Sequence, residues 1–172
     1  MFRLDTSRLL ILQTTLEVVE KRLLQDQFTA TLQGLEVHFP PEWPGDALPV
    51  FAGWAEYLRQ NPQAEDWGGI LVERATRTAV GQMGCKGLPD LEGTVEIGYG
   101  LNPSVWGRGY ATEAVQALVA WLWQQNRVKK IKAETQVENL ASRRVLEKCG
   151  FVQEGTRQDP EDGALIVWEH RR

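Results

Sequence analysis

The chain has 172 residues, 42% of them hydrophobic and 24% charged, with a formal net charge of -4 at pH 7. That size and balance fit one soluble globular domain spanning residues 1–172, and they exclude a disordered or fibrous chain. An acidic chain with one small basic cluster, Arg127, Lys129, Lys130 and Lys132, argues against a duplex nucleic-acid binder.

Cys85 and Cys149 lie in separate segments with only His38 and His170 to assist them, so reduced thiols and no metal are expected. The opening MFRLDTSRLL has no apolar core flanked by a cleavage site, and no window approaches the roughly 18 apolar residues of a membrane span. A cytoplasmic protein without a membrane contact is expected.

Residues 8–14, RLLILQT, read as a strand, and 16–24 switch to helical spacing of their apolar residues. From Val37 to Pro49 four prolines and a glycine predict a long loop without regular structure. Phe39 and Trp43 would pin that loop to the core, with a pocket-lining role as the alternative. A helix over Val50–Gln60 is followed by strands at Trp67–Arg74 and Ala79–Cys85, joined as a hairpin by the turn 75–78.

Val95–Ala117 is the stretch around which the rest is organised: an apolar strand, the turn Trp106-Gly107-Arg108-Gly109-Tyr110-Ala111, and a helix with Ala111, Ala114, Val115, Leu118, Val119 and Leu122 on one face. Small residues that let backbone N–H groups converge at a helix start make an anion-binding joint. Ile131, Ala133 and Thr135 then alternate with polar residues in a strand. Asn139 can cap the next helix, with Ala141, Val145 and Cys149 as its buried stripe and Gly150 as its left-handed end. Cys149 reads as a small buried apolar residue rather than a nucleophile. Phe151–Arg157 and Ala164–Glu169 are the closing strands, around the turn Asp159–Gly163.

Three ligand classes suit the joint at 106–111. A Walker-type phosphate loop needs Gly, four residues, then Gly-Lys-Ser/Thr, which does not occur. A dinucleotide-binding oxidoreductase would need its third glycine at Thr112, and too little chain follows Glu134 for a doubly wound sheet.

The turn 106–111, followed by Asn139-Leu140-Ala141-Ser142 and by Val145–Phe151, resembles the GCN5-related N-acetyltransferases (GNAT), in particular their RimJ/RimL-like branch. The resemblance implies a mixed α/β (α+β) fold: a twisted, mostly antiparallel sheet of about seven strands with about four helices around it. That sheet would splay between its fourth and fifth strands, here 94–101 and 130–136, with acetyl-CoA in the opening. Backbone N–H groups from Gly107, Arg108, Gly109, Tyr110 and Ala111 would cradle the pyrophosphate, Asn139 would hold the pantetheine arm, and Leu101 is the nearest match for the backbone N–H that faces the oxyanion.

The resemblance also implies transfer of the acetyl group directly to a primary amine, on a protein N-terminus or a small molecule. Its common acid, a tyrosine four residues before Gly-Phe in many relatives, is Leu146 here, and the branch pattern puts Ser142 near the sulfur instead. Glu96, on one strand face with Gly98 and Gly100, is the candidate base, or a glutamate on a solvated face; Asp159 and Glu161 compete with it. The loop carboxylates Glu36, Glu42 and Asp46 mildly favour a cationic acceptor, and Trp43 and Trp54 could wall an apolar one. Partners expected are acetyl-CoA and an amine, with a homodimer allowed. The missing tyrosine leaves a non-catalytic CoA-binding module as the alternative function, ahead of the NAD(P)-dependent oxidoreductase.

Overall fold

Leu9, Leu10, Ile11 and Leu12 are all buried, because the strand they form, β2 (Leu9–Gln13), is covered on both faces. A strand sends successive side chains to opposite faces. Leu9 and Ile11 join one apolar core; Leu10 and Leu12 join a second.

The computed structural model describes all 172 residues. In chain order they form β1 (Arg3–Asp5), β2, α1 (Leu16–Leu24), β3 (Phe28–Leu32), β4 (Leu35–Phe39), α2 (Phe51–Gln60), β5 (Gly68–Glu73), β6 (Thr78–Cys85), β7 (Thr94–Leu101), α3 (Tyr110–Leu122), β8 (Lys130–Gln136), α4 (Leu140–Lys148), β9 (Phe151–Asp159) and β10 (Gly163–His170). The sheet runs β1-β2-β5-β6-β7-β8-β10-β9, with β3 and β4 attached to it beside β6. Its neighbours are antiparallel except β7 with β8 and a single bridge from β4 to β6. Helices α3 and α4 cover the first core; α1, α2 and the β3–β4 hairpin enclose the second. No helix is long and apolar enough to cross a membrane.

Ten strands stand where about seven were expected, and the excess lies in β1 and in the β3–β4 hairpin. Val37–Phe39 is accordingly a strand, not loop: it pairs with β3 around Gln33-Gly34, both at positive φ, and Val37 and Phe39 are fully buried. The four prolines fall beyond it, so the irregular segment begins at Pro40, and Gly45–Val50 is a 3-10 turn. In α4 the buried stripe is also displaced from the expected one. Leu146 and Cys149 face the core while Ala141 is exposed and Val145 half-buried, because the helix meets the sheet with one edge of its first turn open.

The feature that positions the site is where β7 and β8 part. Their parallel ladder runs from Thr94↔Lys130 to Ile97↔Ala133 and stops. Beyond that point β7 stays with β6 as far as Leu101↔Gly81, whereas β8 follows β10 to Gln136↔Leu165.

Candidate active site

Divergence of the two strands leaves backbone groups without a neighbour. Asn102 N donates to Val80 O and Lys86 N to Glu96 O, so even-numbered residues of β7 turn their amides and carbonyls toward β6. By alternation the N–H groups of Tyr99 and Leu101 point the other way, into the space that β8 has left. Leu101 O is taken by Trp106 Nε1 at 3.0 Å, which folds the turn back over the end of the strand.

That turn leads into α3. Gly107 and Gly109 have φ of 76° and 79°, a region that other residues enter at a cost, and a Cβ on Gly107 would meet nothing within 4 Å. Gly109 is the N-cap and offers no side chain. The first intrahelical bond is Glu113 N to Gly109 O at 3.2 Å, so the amides of Tyr110, Ala111 and Thr112 are the unpaired donors of the helix start. Together with the helix dipole they form an anion seat. The half-exposed Arg108 guanidinium stands beside them, 3.5 Å from Glu73 Oε1.

A support lies behind the seat. Glu113 accepts from Thr6 Oγ1 (2.6 Å), Ser7 Oγ (3.2 Å), Arg8 N (2.8 Å) and Arg8 Nε (2.7 Å). Burial alone would raise its pKa, but these bonds and the Arg8 charge outweigh it and hold the carboxyl at about 2. The Tyr110 side chain points into the same support: its hydroxyl donates to Glu73 Oε1 at 2.6 Å, and the Arg8 guanidinium lies 4.7 Å over its ring.

Across the opening, the Asn139 Oδ1 caps α4 by accepting from Ser142 N at 3.1 Å. Ser142 Oγ lies 2.7 Å from the Tyr99 hydroxyl, which is also 3.2 Å from the Ser142 carbonyl oxygen. Leu146 is fully buried in the core. Tyr99, Gly100, Asn139 and Ser142 line one part of a cleft of about 920 Å³, whose far wall carries Asp46, Val50, Trp54 and Tyr57. The Trp54 and Tyr57 rings are stacked at 5.4 Å.

The carboxylates singled out in the sequence are differently placed. Glu96 forms an ion pair with Lys86 Nζ. Asp159 accepts from the N–H groups of Glu161 and Asp162 and from Arg157, which hold it at about 2. Glu161 is exposed. Glu134, a wall of the cleft, is gripped through both oxygens by Arg157 at 2.7 Å, which keeps its pKa low. Glu42 is spent on Ser104, and Asp46 alone of the three loop carboxylates reaches the cleft. Phe39 and Trp43 pack in the second core, where Trp43 Nε1 donates to Gly81 O at 2.9 Å. Trp43 therefore walls no pocket; Trp54 does.

Sequence reasoning overlooked Tyr99, Arg8 and Glu113. Tyr99 carried one usable signal, an aromatic residue set between two strand glycines; the partners of Arg8 are about a hundred residues away and leave no local trace.

Comparison with known proteins gives concordant results. The family model described as "Acetyltransferase (GNAT) domain" matches residues 21–152. The chain is 32% identical over 157 residues to the uncharacterized N-acetyltransferase YjdG of Bacillus subtilis, covering 88% of this chain and 90% of that protein. A GNAT-family acetyltransferase from Bacillus anthracis superposes with a TM-score of 0.69 at 21% identity, covering 98% and 97% of the two chains. RimL, a ribosomal L7/L12 α-N-protein acetyltransferase solved with coenzyme A, does so with 0.66 at 15% identity over 96% and 94%. The last two likenesses bear on the fold alone. The chain belongs to the GNAT family of acetyl-CoA-dependent N-acetyltransferases.

Proposed function

We propose that the whole chain works as one acetyltransferase domain that moves the acetyl group of acetyl-CoA to a primary amine in the cleft between α2 and β7. One observation carries this reading: where β7 and β8 part, the amides of Tyr99 and Leu101 face the space β8 has left, the Ser142 hydroxyl meets the Tyr99 phenol, and the turn into α3 folds over the end of β7 through the Trp106–Leu101 bond. Acetyl-CoA supplies the acyl group as a thioester and leaves as the thiol.

The residues present suit that donor. Empty space beside Gly107, the free amides of Tyr110–Thr112 and the Arg108 guanidinium match a diphosphate. Gly100, in extended backbone with nothing within 4 Å of a Cβ, leaves room along β7 for a narrow arm. In this reading Gly107 to Ala111 hold the phosphates, Asn139 flanks the arm, the Leu101 N–H faces the acyl oxygen, and the Ser142 hydroxyl faces the sulfur.

For the amine proton, Glu96 is assigned a supporting charge rather than the base, since Lys86 occupies it. A carboxylate held near 2, as Asp159 is, makes a weak base. Water in the cleft takes the proton. The acceptor arm joins an apolar, aromatic wall to Asp46, which suits a cationic primary amine on an apolar or planar body. RimL is named for a protein N-terminus and the microcin self-immunity acetyltransferase MccE was solved with acetyl-CoA and AMP, so this fold accommodates more than one kind of partner. A panel of N-terminal peptides, arylalkylamines and polyamines, read by thiol release from acetyl-CoA, should show turnover above hydrolysis for amines with an apolar body. Absence of turnover with every amine, together with no thermal stabilisation by acetyl-CoA, would overturn the assignment.

A further inference from the structure

The geometry points to Tyr99 as the positioning residue for Ser142: its phenol, 2.7 Å from the serine hydroxyl oxygen, holds that hydroxyl at the gap, and with the phenol as donor of the pair the serine's own proton is free to face the sulfur of acetyl-CoA. This rests on the placement of Ser142 at the sulfur proposed above.

Three observations carry it. The Tyr99 Oη to Ser142 Oγ distance is 2.7 Å, and Tyr99 is the one side chain in hydrogen-bond contact with that hydroxyl. The contact spans β7 and α4 where the β7–β8 ladder has ended, so it ties together the two lips of the opening. Leu146, one turn beyond Ser142 on α4, is fully buried in the core and carries no hydroxyl, so at this end of the gap the phenol comes from the strand.

A hydroxyl has one proton to give. When Ser142 Oγ accepts from Tyr99, its own O–H is left for the gap rather than for the helix carbonyls that serines otherwise seek. Burial pushes the Tyr99 phenol up to about 12, so it keeps its proton through the neutral range. In the transfer step the new carbon–nitrogen bond forms from the amine lone pair, and the carbon–sulfur bond breaks with its electron pair on sulfur. The amine loses one proton to water, the sulfur gains one from water, and Tyr99 and Ser142 keep theirs.

The test uses the full chain with Tyr99→Phe, Ser142→Ala and the double variant, on the best amine of the panel. Tyr99→Phe should lower kcat about tenfold with KM for acetyl-CoA within about twofold, the rate equivalent of one lost hydrogen bond. In the Ser142→Ala background it should cost nothing further. A second reading needs no turnover: the thiol of bound CoA, titrated by thiolate absorbance, should shift upward alike in both single variants, while desulfo-CoA binds all four proteins equally. Multiplying losses in the double variant, or an unmoved thiol titration, would overturn the role of Tyr99 while leaving the acetyltransferase reading intact. A wild-type chain that binds no CoA would overturn both.

Discussion

Arg8 Nη1 donates to the backbone carbonyl of Arg108 at 2.8 Å, so a residue at the entry to β2 sets the orientation of a peptide plane in the turn before α3. In a trans peptide the carbonyl and the following N–H point in opposite directions. Fixing the Arg108 carbonyl toward Arg8 therefore aims the Gly109 N–H away from the support and outward. Glu113 in turn fixes Arg8 through its Nε and backbone N–H.

Removing that support should loosen the donor without touching the chemistry. Arg8→Ala is expected to weaken CoA binding about five- to tenfold, the loss of a charge-assisted hydrogen bond, with kcat little changed. Arg8→Lys should not rescue it, because an ammonium cannot hold Glu113 and the Arg108 carbonyl together in a planar fork. Calorimetry with CoA reads both; wild-type affinity in Arg8→Ala would show that the turn holds its shape unaided.

The same pair makes stability depend on pH. Glu113 titrates at about 2 in the folded chain, below its ordinary 4.5. A carboxyl whose folded pKa is depressed adds stability that is complete above the unfolded value and drains away as pH falls through the window from 4.5 to about 2. Asp159, held at about 2, adds a loss of its own at low pH. Urea midpoints of Glu113→Gln should lie below wild type at neutral pH and decline less steeply on acidification. Parallel curves would remove Glu113 from the account.

Two glycines of the site separate backbone need from ligand clearance. Gly109, at φ 79°, should lose about 1–2 kcal/mol of stability as alanine, and donor affinity with it. Gly100 is extended and open, so Gly100→Val should fold with a normal melting temperature yet bind CoA more than about tenfold more weakly. Loss of folding in Gly100→Val would mean that the space beside β7 is needed by the chain itself.

Much of this was readable in advance, because the signals were local. The alternation of Ile131, Ala133 and Thr135, the apolar face of α3 and the Asn139 cap each depend on neighbours within a few residues, and each is found in place. The β3–β4 hairpin was missed because its register depends on a partner strand and on Gln33 adopting φ 49°, which a non-glycine residue does not announce. Within the site, the turn at 106–111 could be recognised, but the contacts Arg8–Glu113 and Tyr99–Ser142 join positions far apart in the chain and exist only once the sheet is assembled.

Gly53 sits in the first turn of α2, exposed, on the acceptor wall next to Trp54, and a Cβ there would meet nothing within 4 Å. Helical glycine costs about 0.5–1 kcal/mol relative to alanine, and no left-handed φ or close backbone approach requires it here. Gly53→Ala should accordingly stabilise the chain, raising Tm by about 2 °C for a protein of this size. If the acceptor's body lies along α2, the larger Gly53→Leu should raise KM for the bulkier amines of the panel and spare the smallest ones, with KM for acetyl-CoA unchanged in both. The two readouts move independently, since the helix gains from any side chain while the cleft loses in proportion to its volume. Unaltered acceptor preference in Gly53→Leu would take the acceptor away from α2 and leave the rest of the cleft lining, the closing turn at Asp162 included, to hold it.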